Sequence, residues 1–170
     1  MRIGVFADAH DHLDNVRHAV AEFNRRRCGL VLFAGDLVSP MVVPVLRKLE
    51  CPFIGCFGDN DGNKTGIAGG MKIVGQLGEP PFGVVTPDGV RILLAHTFES
   101  AREFVVGFQV VITAHTHKPR IETANSTLFV NPGETSGWTY RKPTVAILET
   151  NPLAAEIIPL PAMPPVPVPA

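Results

Sequence analysis

An α/β fold with two sheets packed face to face and helices outside is predicted for this 170-residue chain by two observations. Strand-like apolar runs alternate with helical segments in the first half, and short strand-like runs with little helix between them fill the second. A third observation points to function. Asp8-Ala9-His10, Gly35-Asp36, Gly58-Asp59-Asn60-Asp61, His96 and His115-Thr116-His117 nearly all follow directly on an apolar run. Side chains so placed gather in the crevice beyond the carboxyl ends of neighbouring parallel strands.

Arg2 to Ala7 reads as a strand from its Ile, Val and Phe content, and Leu13 to Arg27 as a helix with apolar residues 13, 16, 20 and 23 on one face. Asp11 or Asp14 is its expected N-cap. Leu30 to Ala34 is a second strand, and Met41 to Leu49 a second helix entered through Pro40. Pro52 to Phe57 is the third strand, and three such repeats imply parallel strands with right-handed crossovers. Beyond Gly62 the glycines at 66, 69, 70, 75 and 78 thin out regular structure. Phe82 to Val85 and Val90 to Ala95 flank Thr86-Pro87-Asp88-Gly89, a hairpin signal. Glu99 to Val106 predicts a short helix; Gln109 to Thr113, Thr127 to Val130 and Thr144 to Leu148 predict strands. The second half as a whole reads as antiparallel. Residues 1–158 form the expected domain; residues 159–170, with six prolines and no charge, form a proline-rich tail of polyproline II character.

Composition narrows the function. Apolar residues make up 45% and charged residues 18%, the balance of a globular protein. A formal net charge of -1 provides no basic excess for a nucleic-acid backbone or an anionic membrane, so a small-molecule ligand is expected. No apolar stretch approaches the roughly 20 residues of a membrane span, and the N-terminus lacks signal-peptide character. Cys28, Cys51 and Cys56 are an odd set without Cys-x-x-Cys spacing, which argues against disulfides and zinc ribbons and for buried apolar roles in the cytoplasm. The β-rich half offers an edge or face for a homo-oligomer.

Aspartate and histidine at strand ends are the residue types that hold divalent ions and activate water between them. Taken in order, the five motifs, with Asn131-Pro132-Gly133, resemble the calcineurin-like metallophosphoesterase superfamily, in particular its small bacterial and archaeal phosphodiesterase branch. The resemblance runs from residue 1 to about residue 150. It implies a four-layer α/β/β/α sandwich of two mixed sheets flanked by helices. It also implies two divalent metal ions, Mn²⁺ in the first instance with Fe²⁺, Ni²⁺, Zn²⁺ or Mg²⁺ as alternatives. Asp8, His10, Asp36 and His117 would hold one ion. Asp36 as a bridging carboxylate, Asp59, His96 and His115 would hold the other. The implied reaction is hydrolysis of a small phosphate ester by a water activated between the ions.

Departures from the family pattern qualify the chemistry. Asp59 replaces the usual asparagine and adds a negative charge beside the second ion, favouring cation binding over attraction of an anionic phosphate. The retromer subunit of the same fold, a protein-binding scaffold, resembles this chain in carrying aspartate there, so a weakly active or inactive scaffold is one alternative and a phosphomonoesterase another. Asn60 stands where many relatives have a histidine; it cannot act as a titrating acid but can orient a phosphate oxygen, so Asn60 and Asp59 are the candidate catalytic residues. Phe98 is a candidate substrate contact that narrows or dries the pocket, Ala114 replaces a glycine, and Glu134 replaces a serine. His12 is expected to cap the loop, with substrate contact as its second reading. Asp61 is expected to brace its turn, His18 to face solvent, and Arg25-Arg26-Arg27 to meet the negative end of the first helix rather than a phosphate.

Overall fold

The computed structural model describes residues 1–161. Strand β1 (Arg2–Phe6) leads into helix α1 (Leu13–Arg25), then β2 (Leu30–Phe33), a 3-10 turn (Pro40–Val42) running into α2 (Val43–Leu46), and β3 (Phe53–Cys56). Helix α3 (Lys64–Met71) and β4 (Gly75–Gly78) complete this half. Then come β5 (Phe82–Val85), β6 (Arg91–Leu94), α4 (Phe98–Ala101) with a following 3-10 turn, and β7 (Val110–Ile112). Strands β8 (Arg120–Ala124), β9 (Thr127–Asn131), β10 (Thr144–Thr150) and β11 (Leu153–Pro159) end the described chain.

Two sheets result, ordered β11-β10-β1-β2-β3-β4 and β5-β6-β7-β9-β8. Alternate side chains of β1 and β2 explain why these runs are apolar throughout. Ile3, Val5, Leu30 and Leu32 face the second sheet and pack with Ile92, Leu94, Val110, Ile112 and Val130. Phe6, Val31 and Phe33 face the helices and pack with Val16, Phe23 and Leu46. A strand buried on both faces has no polar alternation to show. A smaller cluster of Leu93, Ala95, Ala101 and Val111 covers the outer face of the second sheet beneath α4. The expected layering of helices outside two mixed sheets is therefore present.

Four expectations are corrected. The second half is mixed, not antiparallel: β6 pairs parallel with β7 and β7 with β9, while β5 with β6, β8 with β9 and, in the first sheet, β10 with both β11 and β1 are antiparallel. The segment after Gly62 is regular, because the Asn63 side chain caps α3 by accepting from the Gly66 amide and β4 pairs with β3. The Met41 to Leu49 helix shortens to a 3-10 turn and one turn of α-helix. His12, rather than Asp11 or Asp14, caps α1: its Nδ1 accepts from the Asn15 amide at 3.2 Å. Strands β8 and β11 escaped the sequence reading because their exposed faces carry no continuous apolar signal. Residues 162–170 of the proline-rich tail lie outside the described residues.

The arginine cluster is engaged at the end of α1. Arg25 and Arg26 both donate to Glu22, and Arg26 also reaches Glu156. The Arg25 hydrogen bond is the largest influence holding the Glu22 carboxyl down at about 2, against burial and with help from Arg26. A depressed carboxylate pKa stabilises the fold above the unfolded value near 4.5, and that stabilisation fades as pH falls toward 2. Glu22→Gln should therefore lower the unfolding free energy by about 0.5–1 kcal/mol at pH 7, and by nothing measurable at pH 2, in denaturant titrations.

Candidate metal centre

The carboxyl ends of β1, β2 and β3 in one sheet and of β6 and β7 in the other meet at one edge of the sandwich. Asp8 and His10 follow β1, Asp36 follows β2, Asp59 follows β3, His96 follows β6, and His115 and His117 follow β7. The chain turns sharply at each exit. Asp8, His10, Asp36, His115 and His117 all have left-handed backbones, with φ of 49°, 41°, 68°, 65° and 61°. Such conformations cost on the order of 1–3 kcal/mol each, and strained positions of this kind cluster at functional sites. The Asp61 carboxylate braces the turns, accepting from the amides of Val38 and Gly58 at 2.7 Å each and of Asp36 at 3.3 Å.

All seven residues come together. The donor atoms of Asp8, His10 and His117 lie within 4.8 Å of one another, as do those of Asp59, His96 and His115. Asp36 stands between the two sets: its Oδ2 is 3.6 Å from His10 Nε2 and 3.5 Å from His96 Nε2. These separations are too long for hydrogen bonds. They match the edge of a coordination polyhedron, about 3.4 Å for a tetrahedron with bonds near 2.1 Å. His117 Nε2 is 3.7 Å from Asp8 Oδ1, and His115 Nδ1 is 3.1 Å from Asp59 Oδ2. The first set is sunk, with Asp8 fully buried, and the second is open, with Asp59 58% and His115 53% exposed.

Polar satisfaction shows what the cluster lacks. Among the described residues, both oxygens of Asp8 and the Nε2 atoms of His10 and His96 are buried without a hydrogen-bond partner. Orphaned groups of this kind are costly unless a cation meets them. Burial, then the charge of Asp36, pushes the Asp8 carboxyl up to about 8, with the His115 amide opposing. Burial likewise lowers the His10 pKa, against the pull of Asp36. Two histidines have their free nitrogen chosen for them. His96 Nδ1 lies 2.7 Å from the Ala34 carbonyl, which only accepts, so Nδ1 carries the proton and Nε2 keeps its lone pair. His117 Nδ1 donates in the same way to Glu134 Oε2 at 2.9 Å. Oxygen and imidazole donors around a carboxylate suit divalent ions of the Mn, Fe, Ni and Zn series, so the residues present fit a metal.

Glu134 is the residue that sequence reasoning undervalued. Its side chain is fully buried and also accepts from the amides of Thr139 and Tyr140, at 2.9 and 2.6 Å. Burial would raise its pKa, but the hydrogen bond from His117 and those two amides hold it below the usual range. The loop that carries it is tied down over Asp8 by the amides of Thr135 and Ser136, which donate to the carbonyls of Ala7 and Asp8. A carboxylate replacing a small serine was the available signal.

Other candidates have definite places. Asn60 is exposed; its amide Nδ2 and backbone N–H donate to the two Asp36 oxygens at 2.7 and 2.8 Å. His12 caps α1 and packs against Trp138, ring centroids 4.6 Å apart, while the indole N–H donates to the His10 carbonyl. Phe98 is 52% exposed beside the second set. Two glycines permit the crowding: a Cβ on Gly58 would lie 2.2 Å from Asp36 Oδ1, and one on Gly35 2.5 Å from His96 Nδ1. Cys28, Cys51 and Cys56 are free thiols, and burial raises all three pKa values.

Comparison with known proteins agrees with this geometry. The family model for the calcineurin-like phosphoesterase superfamily domain matches residues 1–152. A phosphodiesterase of Methanocaldococcus jannaschii is 32% identical over 156 residues, covering 89% of this chain and 94% of that protein. The solved structure of an archaeal phosphodiesterase superposes with a TM-score of 0.88 at 31% identity, covering 94% of this chain and all of that one. A phosphoesterase from E. coli shares the fold alone, with a TM-score of 0.69 at 18% identity and 88% of each chain covered. With the family model spanning most of its length, the chain belongs to the calcineurin-like phosphoesterase superfamily.

Proposed function

We propose that the chain is a metal-dependent phosphodiesterase that hydrolyses a small phosphate ester with two divalent ions. Asp8, His10 and His117 would hold one, Asp59, His96 and His115 the other, with Asp36 shared. One observation carries the reading: a single carboxylate oxygen, Asp36 Oδ2, lies 3.6 and 3.5 Å from the histidines of the two donor sets. A shared carboxylate is what offsets repulsion between two dications about 3.5–4 Å apart. When bound, the ions supply Lewis-acid charge for the phosphoryl oxygens and lower the pKa of the attacking water.

The chain's own residues do the positioning. The carbonyl of Ala34 and the carboxylate of Glu134 fix the tautomers of His96 and His117, so each presents a lone pair without reorganisation. Asn60 uses one amide N–H on Asp36, and its second N–H is available to orient a phosphate oxygen. Asp59 adds charge on the open side, which strengthens cation binding there. Neither Asn60 nor Asp59 replaces the missing histidine as acid, so esters with good leaving groups are the expected substrates. Mn²⁺ is the proposed metal, with Fe²⁺, Ni²⁺, Zn²⁺ or Mg²⁺ accommodated by the same donors. The cytoplasm is the proposed location, on the free and mostly buried cysteines. Among the described residues no helix is long and apolar enough to cross a membrane.

Purified protein given Mn²⁺ should hydrolyse bis-p-nitrophenyl phosphate faster than p-nitrophenyl phosphate. A chelator should abolish turnover and added Mn²⁺ should restore it. A faster monoester reaction would identify a phosphomonoesterase instead. Absence of turnover with each of the five metals, together with no bound metal by elemental analysis, would identify a scaffold.

A further inference from the structure

We propose that the cleft beside His115 receives an uncharged, planar aromatic arm of the ester, which makes aryl or similarly flat-ringed phosphodiesters the substrate class. This rests on the phosphodiesterase reading above. The cleft has a volume of about 640 Å³, within the range of small-molecule sites. Its apolar walls are Phe98, Ala114, Pro119, Ala124, Phe129 and Val130. His115 lines it too, and the same side chain places Nδ1 3.1 Å from Asp59 Oδ2. The cleft therefore borders the second donor set at His115 and offers an apolar wall to one ester arm of a phosphate held there.

Chemistry narrows the occupant. Phe98 and Phe129 meet edge to face, with centroids 6.2 Å apart and planes at 67°, and form an aromatic corner that a third ring can fill. Phe98 is held there half exposed, at the start of α4, although an apolar ring gains nothing from water. Several polar groups around the cleft are already engaged. Asn131 Nδ2 donates to the Ala114 carbonyl and to Thr116 Oγ1, and its Oδ1 accepts from the Gly133 amide. Arg120 pairs with Glu122, and the Lys118 ammonium lies 5.6 Å from the Tyr140 ring centroid. Asn131 has no donor left over to read a base edge, and Arg120 is already neutralised by its partner. A flat apolar ring fits these walls.

The test is calorimetric titration of the Mn²⁺-loaded protein with inorganic phosphate, methyl phosphate and phenyl phosphate. Phenyl phosphate should bind about tenfold more tightly than methyl phosphate, as expected for burying one ring in a half-open site. Phe98→Ala should bring that ratio to about one, and Phe98→Trp should keep it. Equal affinities for the two esters in the wild type, or a preference that survives Phe98→Ala, would overturn the inference and leave the phosphodiesterase reading standing. If inorganic phosphate also fails to bind, both fall together.

Discussion

Asp36→Ala should empty both metal positions and reduce phosphodiester turnover by on the order of 10³-fold or more, because its carboxylate is the one the two proposed sites share. Its Oδ2 faces His10 on one side and His96 on the other. Without it, the residual donors on each side are three residues, with no shared anion to offset repulsion between neighbouring ions. Elemental analysis should fall from about two equivalents to none. His117→Ala, by contrast, should retain about one equivalent, since His117 belongs to the first set alone. Circular dichroism should show the fold kept in both variants, because the turn at Asp36 is held through its backbone by Asp61, and Asp36's carbonyl still accepts from Ala9 and His10. An Asp36→Ala protein with its metal and turnover intact would sink the shared-carboxylate reading.

Glu134→Ala should weaken metal binding and turnover by about 10- to 100-fold, the range found when the partner of a metal-ligating histidine is removed. Four groups lose an acceptor at once: His117 Nδ1, the Ser136 hydroxyl and the amides of Thr139 and Tyr140. The Thr139 hydroxyl, 3.1 Å from Nδ1, is then left to hold the imidazole, and because it can donate as well as accept it does not fix the tautomer. Glu134→Gln should recover much of the loss, since an amide oxygen still accepts from Nδ1–H, whereas a purely structural role would not discriminate between the two variants by metal affinity. Metal titration against a competing chelator separates these outcomes. Equal affinity in wild type and Glu134→Ala would mean that the hydrogen bond to His117 does not orient a ligand.

Much of this site was legible before the fold was known. The seven residues at strand ends announce themselves because each follows an apolar run, and the chemistry of Asp and His at such positions is narrow. Asp61 was legible as a brace for the same reason, its neighbours being backbone amides of its own and the preceding turn. Glu134 was not. It is far in sequence from His117 and belongs to a loop whose course over Asp8 depends on hydrogen bonds to Ala7 and Asp8. The sequence points to His12 as a cap of its loop and to Asp11 or Asp14 as the cap of α1, since carboxylates are the commoner choice; instead Asp11 accepts from the Ser39 hydroxyl.

Sequence by itself determined the local elements of the first half, the family, and which residue types gather at one edge, because apolar periodicity and strand-end chemistry are properties of short segments. Tertiary structure decided the rest. The parallel pairing of β6 with β7 and of β7 with β9 depends on partners well separated in the chain. So do the tautomers of His96 and His117, each set by an acceptor 62 or 17 residues away, and the aromatic corner of Phe98 and Phe129 that borders the site. The physical reason is common to them: burial and hydrogen bonding are satisfied between segments, so their outcome is written in which segments meet.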